Sequence, residues 1–267
     1  MAFDVQRHDR ALALRARSTA RAGPFLCRFS RRLPDAFANF AIPDDGAEPT
    51  AADIRALLRA FEQRGRTARL EFLAGCAPKA ERALVDAGFT VERRGVVMAC
   101  TAPWLTAPWL TAPQPLPGLV LAEPSCDADL EEFARVQHYA FGQPGEAGPE
   151  AVERLVQVRT RGALVMLARH QGRIVGGGVC MPPVNSVGEL DGVAVAEDAR
   201  RRGIGTAISA RLTGLAFRDG YHLVWLEPVG PEARQVYRGI GYRPIAERLR
   251  LGAPSASAPS SDAEVSI

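Results

Sequence analysis

The chain has 267 residues, a hydrophobic share of 47%, a charged share of 24% and a formal net charge of +3. This length suggests one large domain or two small ones with a sizeable core, and the composition is that of an ordinary globular protein. The small charge argues against a nucleic acid as partner, and the lack of a long apolar run or a secretory signal argues against a membrane. The scattered cysteines predict a cytoplasmic protein.

The cysteines and histidines are scattered along the chain without the spacing of metal ligands. We therefore expect reduced, mostly buried thiols and no metal site. The cysteines are Cys27, Cys76, Cys100, Cys126 and Cys180, and the histidines are His8, His138, His170 and His222.

Residues 1–34 are rich in arginine and poor in acidic residues. Such a start can belong to an organelle transit peptide, but no cleavage site is marked, and we interpret it as a solvated face of a first domain. The turn-forming stretch PDDGAEPT follows, and Thr50 with Asp53 predicts an N-cap. The helix after it ends at Gly65, and its apolar stripe comprises Ile54, Leu57, Leu58 and Phe61.

One supersecondary unit occurs twice, at a constant offset of 153 residues. In the first copy, residues 69–74 predict a strand, Pro78 begins a helix, and Gly88 and Phe89 end it. The second copy repeats Pro78, Leu84, Gly88 and Phe89 as Pro231, Tyr237, Gly241 and Tyr242. We infer an internal duplication.

Residues 101–117 join the two copies and contain the tandem unit TAPWL. Prolines favour an extended segment, and we interpret this stretch as an interdomain linker. Trp104 and Trp109 are expected to pack on a domain surface rather than to stack on a ligand.

The second half predicts alternating strands and helices. They are a strand at 118–122, a helix begun by Asp127 or Asp129, a helix at 149–158, and a hairpin of strands at 163–169 and 174–181. Gly176–Gly178 inside the second hairpin strand indicate a bulge or tight packing, with close approach to a substrate as the alternative.

A strand at residues 189–196 is followed by a glycine-containing loop and a helix that runs to Gly220. Gly203 and Gly205 let the backbone approach a ligand closely, and the unpaired N–H groups of the helix start favour a phosphate. The arginines Arg200, Arg201 and Arg202 add counter-charge. A Walker loop would need a lysine before Thr206, and a dinucleotide fingerprint would need a third glycine.

The pattern Arg200-x-x-Gly203-x-Gly205, five residues after Val195, resembles the coenzyme A loop of the GCN5-related N-acetyltransferase (GNAT) family. Ala233-x-x-x-Tyr237-x-x-x-Gly241-Tyr242 resembles the AxxLYxxxGF element of that family. The resemblance covers roughly residues 118–251. It implies an α/β fold with a mixed, mostly antiparallel sheet flanked by helices, the GNAT fold, in a tandem arrangement with a degenerate first copy.

The first copy has Leu84 at the place of Tyr237, and its equivalent loop is acidic and lacks Gly-x-Gly. We therefore expect a degenerate GNAT-like domain at 1–100, which is structural or walls the substrate cleft. A GNAT domain at 118–251 follows the linker at 101–117, and a disordered tail is expected at 252–267.

The resemblance implies acetyl-CoA as co-substrate, no metal, and transfer to a primary amine of a small molecule or peptide by direct attack. Tyr237 would protonate the leaving thiolate, and Glu189 falls where some members place a general base, with Asp191 and Glu227 as alternatives. Gly192 would mark a bulge that parts this strand from the next. The cofactor-binding residues would be Val193, Ala194, Val195, Arg200, Arg201, Arg202, Gly203, Ile204, Gly205 and Thr206.

Gly230 stands where many relatives have an asparagine that contacts the cofactor. This departure keeps a second hypothesis open, a non-catalytic module that binds an acyl-CoA as ligand or regulator. The sequence identifies neither the acetyl acceptor nor the oligomeric state.

Overall fold

The computed structural model describes residues 1–16, 18–30, 38–105 and 116–254. Most of the predicted linker, including Trp109, and most of the predicted tail lie outside these residues. The elements in chain order are α1 (Ala2–Leu14), β1 (Ser18–Ala22), β2 (Phe25–Phe29), β3 (Phe40–Pro43), α2 (Ala51–Glu62), β4 (Arg69–Leu73), α3 (Pro78–Asp86), β5 (Thr90–Cys100), β6 (Leu119–Ala122), α4 (Asp127–Ala140), α5 (Pro149–Thr160), β7 (Leu164–His170), β8 (Arg173–Cys180), β9 (Val187–Val195), α6 (Ile204–Arg218), β10 (Leu223–Leu226), α7 (Gly230–Ile240) and β11 (Arg243–Gly252).

Contacts divide the chain into two compact units. The C-terminal unit contains Val96–Ile245, and the N-terminal unit contains Ala2–Gly95 together with the stretch from Ala246. In the C-terminal unit the strand order is β5-β10-β9-β8-β7-β6, with β9 and β10 parallel and the other neighbours antiparallel. In the N-terminal unit the order is β1-β2-β3-β4-β11, with β3 and β4 parallel.

Helices α4 and α6 cover opposite faces of the C-terminal sheet, as the glycines of β8 show. A Cβ atom on Gly177 would lie 2.6 Å from the ring of Phe133 in α4, and a Cβ on Gly178 would lie 3.2 Å from Ile208 in α6. Because both helices approach the β8 backbone this closely, larger residues do not fit. The structure thus supports tight packing as the reason for Gly176–Gly178.

Apolar clusters fill the space between helices and sheet in each unit. All five cysteines are free, and four of them are buried, with Cys126 exposed. Burial raises the pKa of the Cys27 thiol to about 11, which makes it a poor nucleophile at neutral pH. Among the described residues, no helix combines the length and the apolar character needed to cross a membrane.

The helix predicted to follow Thr50 is confirmed as α2. The Thr50 hydroxyl accepts a hydrogen bond from the Asp53 N–H at 3.2 Å, and the Asp53 carboxylate accepts one from the Thr50 N–H at 2.9 Å. This reciprocal capping box satisfies two N–H groups at the helix start. Gly65 follows the helix with a φ of 62°, a conformation that glycine adopts without strain.

The predicted duplication is visible in the backbone of both copies. Helices α3 and α7 each begin at or next to the predicted proline, and α2 and α6 begin at residues 51 and 204, again 153 apart. After the later helix of each copy, the Phe89 N–H donates to the Leu84 carbonyl at 3.0 Å, and the Tyr242 N–H donates to the Tyr237 carbonyl at 3.0 Å.

The last strand of each copy pairs with a strand of the other copy. β5 of the first copy is antiparallel to β10, with Ala99 opposite Trp225, and β11 of the second copy is antiparallel to β4, with Leu249 opposite Phe72. Each unit therefore contains a strand segment from the other half of the sequence, whereas the ranges 1–100 and 118–251 inferred from the sequence are contiguous. The reason is that tertiary pairing selects the partner of a strand, and local sequence does not record it.

Candidate functional site

The N-terminus of α6 is open to a ligand. Gly203, the residue before the helix, is in the left-handed region with a φ of 75°, and Arg201 has a φ of 60°. Within the described part of the chain, no side chain caps this helix. The first N–H groups of a helix lack intrahelical partners and carry partial positive charge. The backbone over Gly203–Thr206 therefore has the form that a phosphate requires.

The three arginines of the loop have different surroundings. Arg200 donates from Nε to the Val195 carbonyl at 3.1 Å and from Nη2 to the Ala140 carbonyl at 3.3 Å. It therefore ties the loop to the end of β9 and to the end of α4. Arg201 and Arg202 are exposed, and their charges can meet an anion at the start of α6.

Strand β10 pairs with only the first part of β9. The pairing between these strands ends at Glu189 and Trp225, while β9 continues to Val195 alongside β8. The N–H of Ala196 donates to a β8 carbonyl at 2.8 Å. Successive residues of a strand direct their N–H and C=O groups to opposite sides. The N–H and C=O groups of Val193 and Val195 therefore face away from β8. An extended ligand can pair with this edge.

A bulge interrupts β9 at Gly192, which has a φ of 64°. The register with β8 shifts between Gly177 and Val179. A Cβ atom on Gly192 would lie 2.4 Å from the amide nitrogen of Gln137, which donates to the Gly192 carbonyl at 2.7 Å. The irregularity predicted at Gly192 is therefore present, but it lies in the ladder with β8, and β9 has already left β10 after Glu189.

Tyr237 lies half-buried on α7. Its ring centroid is 5.7 Å from that of Tyr242, with the rings tilted by 67°. Burial raises the pKa of the Tyr237 hydroxyl, an interaction with Ser209 opposes this rise, and the negative charge of Asp191 adds to it. A phenol with a raised pKa is protonated at neutral pH and can serve as a proton donor.

The three candidate carboxylates act on different groups. Asp191 is exposed, and its charge reaches the Tyr237 hydroxyl. Glu189 is half-buried, and burial, followed by the charge of Glu189, raises the pKa of the Cys180 thiol. Glu227 is half-buried directly after β10. Asp191 is thus the carboxylate whose charge is coupled to the candidate acid, although the sequence favoured Glu189.

Three buried polar residues beside the site were missed by sequence reasoning. They are Gln137, Ser209 and Thr213, which are 5%, 0% and 0% exposed. Gln137 follows the buried Phe133 by four residues, so it continues the apolar stripe of α4. A polar residue at a buried helix position indicates a specific hydrogen bond, and this signal was available in the sequence.

In the N-terminal unit, side chains of the chain itself fill the equivalent positions. Thr50 occupies the place of Gly203 at the repeat offset, and with Asp53 it caps α2. At the repeat offset, Ala47, Glu48 and Pro49 stand where the second copy has the three arginines of its loop. The capping box occupies N–H groups at the start of α2, and the basic side chains at this loop are paired with its own carboxylates. The first copy is therefore poorly suited to bind an anion here.

Helix α1 also fills the space next to that loop. Gln6, which is fully buried, donates to the Asp45 carboxylate at 2.8 Å and accepts from the Leu73 N–H at 2.9 Å. Asp45 follows β3 and Leu73 ends β4, and these strands are the parallel pair of the first copy, as β9 and β10 are of the second. In the first copy, a side chain of α1 thus satisfies polar groups at the end of the parallel strand pair.

Two open clefts lie against α4. One, of about 360 Å³, is lined by Arg135, Arg173 and Arg200 among others, and a second, of about 730 Å³, lies between α4 and α5. Neither is lined by Tyr237 or Asp191. The predicted proton donor Tyr237 and the candidate base Asp191 therefore lie outside both clefts.

Comparison with known proteins finds a family match within the second half of the chain. Residues 129–242 match the family model described as "Acetyltransferase (GNAT) family". No curated protein sequence matches at a significant level.

Several solved structures share the fold over nearly the whole chain. A GCN5-related N-acetyltransferase from Kribbella flavida has a TM-score of 0.77 at 23% identity, with 96% of each chain covered. A second, from Sphaerobacter thermophilus, has a TM-score of 0.65 at 19% identity, covering 86% of this chain and 76% of that one. A tandem GNAT protein from the clavulanic acid biosynthesis pathway has a TM-score of 0.65 at 16% identity, covering 90% and 85%. These similarities confirm the predicted α/β GNAT fold and its tandem arrangement.

Proposed function

We propose that the C-terminal unit, in which residues 129–242 match the GNAT acetyltransferase family model, transfers an acetyl group from acetyl-CoA to a primary amine. The observation that carries the proposal is the uncapped N-terminus of α6 at Gly203. The matching helix of the N-terminal unit is capped by Thr50 and Asp53. One acetyl-CoA site per chain follows from this difference.

In this proposal, the N–H groups of Gly203–Thr206 bind the pyrophosphate of coenzyme A, assisted by Arg201 and Arg202. Arg200 fixes the loop through its two carbonyl contacts. The pantetheine arm lies along Val193–Val195, where β10 has left β9. Ala194 pairs with β8 within this stretch, which keeps the outer edge extended for the ligand.

The reaction moves protons at the acceptor nitrogen and at the leaving thiolate. The acceptor arrives as an ammonium ion and loses a proton to Asp191 or Glu189, directly or through water. Its nitrogen then bonds to the acetyl carbon as the carbon–sulfur bond breaks, and it releases a second proton to solvent to give the neutral amide. Tyr237 gives its phenolic proton to the departing thiolate and recovers one from solvent. This direct attack uses no covalent enzyme intermediate.

Gly230 favours a second candidate function, a non-catalytic module that senses an acyl-CoA. This glycine is exposed at the start of α7 with a φ of 84°, and it offers no side chain to a cofactor. Binding without turnover would then be the whole activity of the site.

A calorimetric titration of the full chain with acetyl-CoA, followed by an assay of thiol release with a panel of amines, tests the proposal. We expect one binding site and release of coenzyme A with at least one amine. Binding without release for any amine would favour the sensor. The absence of binding would refute both functions.

A further inference from the structure

Helix α6 carries two fully buried hydroxyl groups one turn apart. Ser209 and Thr213 are both 0% exposed and lie among apolar neighbours such as Ile208 and Leu212. Side chains four residues apart share one face of a helix. Thr213 on this face contacts the Tyr242 hydroxyl, and the Tyr242 ring packs against that of Tyr237, so the face lies in the region of the two tyrosines.

The two hydroxyls differ in their partners. Thr213 Oγ1 donates to the Ser209 carbonyl at 2.7 Å and lies 2.6 Å from the Tyr242 hydroxyl. Ser209 Oγ is buried and has no partner of standard hydrogen-bond geometry among the described residues. A serine inside a helix usually donates to the carbonyl four residues earlier, and Ser209 does not. Its hydroxyl is therefore available for another acceptor.

The candidate acceptor is the phenolic oxygen of Tyr237, because the Tyr237 ring packs against that of Tyr242, and the Tyr242 hydroxyl contacts Thr213 one turn along the same helix face. Ser209 lies close enough to lower the pKa of Tyr237 against the larger effect of burial, although the pair falls outside standard hydrogen-bond geometry. A lowered pKa means that the contact favours the phenolate over the phenol. Apo structures often show catalytic hydrogen bonds that are long and tighten only with substrate bound.

We propose that Ser209 is a positioning residue for Tyr237, whose phenolic oxygen accepts a hydrogen bond from the Ser209 hydroxyl as it gives up its proton. This inference rests on the proposed function. The Tyr237 proton goes to the thiolate of coenzyme A, and the phenolate that remains keeps the hydrogen bond from Ser209. The serine retains its own proton, so it orients the acid and stabilises the charge without taking part in the transfer.

Kinetics of paired variants test the inference. Ser209→Ala should lower kcat by about three- to tenfold, the effect of one net hydrogen bond, with the KM for acetyl-CoA unchanged. The basic limb of the pH profile should move to higher pH, because the pKa of Tyr237 rises when the hydroxyl is lost. Ser209→Thr, which keeps the hydroxyl, should retain most of kcat.

Two controls separate this role from a structural one. In the Tyr237→Phe background, Ser209→Ala should change kcat by less than about twofold, because the interaction is already gone. Thr213→Val removes a buried hydroxyl from the same helix and should lower the melting temperature without moving the pH profile. Equal losses of kcat from Ser209→Ala in both backgrounds, or no loss in either, would overturn the inference.

A measurement without turnover distinguishes this inference from the proposed function. The chain has four tyrosines, and the difference in tyrosinate absorbance between Ser209→Ala and Ser209→Ala/Tyr237→Phe isolates Tyr237. We expect its titration to lie at higher pH than in the matching pair with Ser209 intact. An unchanged titration overturns the contact even in an active enzyme. If the titration shifts but Tyr237→Phe leaves kcat unchanged, the contact with Ser209 stands and the role of Tyr237 as the acid is refuted.

Discussion

Replacing Gly203 by aspartate places a carboxylate at the start of α6, at the position where the first copy has its capping residue Thr50. Gly203 has a φ of 75°, a conformation that costs a non-glycine residue about 1–2 kcal/mol. The new carboxylate would also occupy the N–H groups that we propose for the pyrophosphate and repel it. Each charge-assisted hydrogen bond lost costs about 1.5–3 kcal/mol. Loss of two such bonds raises the Kd by about 10²- to 10⁴-fold.

Gly203→Ala is the matched control for this variant. It carries the same backbone strain but brings no acceptor and no charge, so we expect its Kd to rise by less than about tenfold. The assay is calorimetric titration with acetyl-CoA, after thermal unfolding has shown that both variants are folded. If the aspartate and alanine variants bind equally well, the pyrophosphate does not lie at the start of α6.

Three further outcomes are expected. Tyr237→Phe should lower kcat by at least about tenfold with an unchanged Kd for acetyl-CoA, and an unchanged kcat would remove the phenol from the mechanism. Hydrogen bonds from Ser125 hold the pKa of Asp129 well below its usual range. Asp129 therefore stabilises the fold above its unfolded pKa of about 4, and this stability is lost as pH falls through its folded pKa. In Asp129→Asn, the free energy of unfolding measured with a chemical denaturant should depend less on pH between neutral and acid. A dependence identical to that of the unchanged protein would contradict this. Gly177→Ala should destabilise the fold by about 1–3 kcal/mol in urea unfolding, because its Cβ would lie 2.6 Å from an aromatic ring of α4. Gly239→Ala is the control, since there is open space at its Cβ, and it should leave the free energy of unfolding undiminished.

The strand, loop and helix around Gly203 could be predicted because their signals are local. Short apolar runs, glycines at positions of positive φ and a capping residue before an apolar stripe each fix the backbone within a few residues. The capping box of Thr50 and Asp53 was predicted for that reason, and its observed geometry agrees. The duplication was also readable, since the offset preserves Gly88 and Gly241 at equivalent helix ends.

The electrostatic partners in the site could not be predicted because they depend on tertiary packing. Strict alternation places Glu189 and Asp191 on one face of β9. Which of them acts on Tyr237 depends on where β9 leaves β10 and on how α7 packs, and the structure couples Asp191 to Tyr237. Similarly, the sequence presents Arg200 as one of three equivalent charges, whereas its contacts with Val195 and a carbonyl of α4 make it part of the loop framework.

The exchange of terminal strands gives the first copy a structural role. Residues 98–100 of β5 lie in the C-terminal unit and form the antiparallel neighbour of β10. A chain cut near Gly118 would lose this strand and expose the backbone groups of β10, a strand whose residues are all buried. Unpaired buried N–H and C=O groups destabilise a fold strongly. We therefore expect the fold of the second copy to require the first copy, because the second copy cannot complete its sheet without β5.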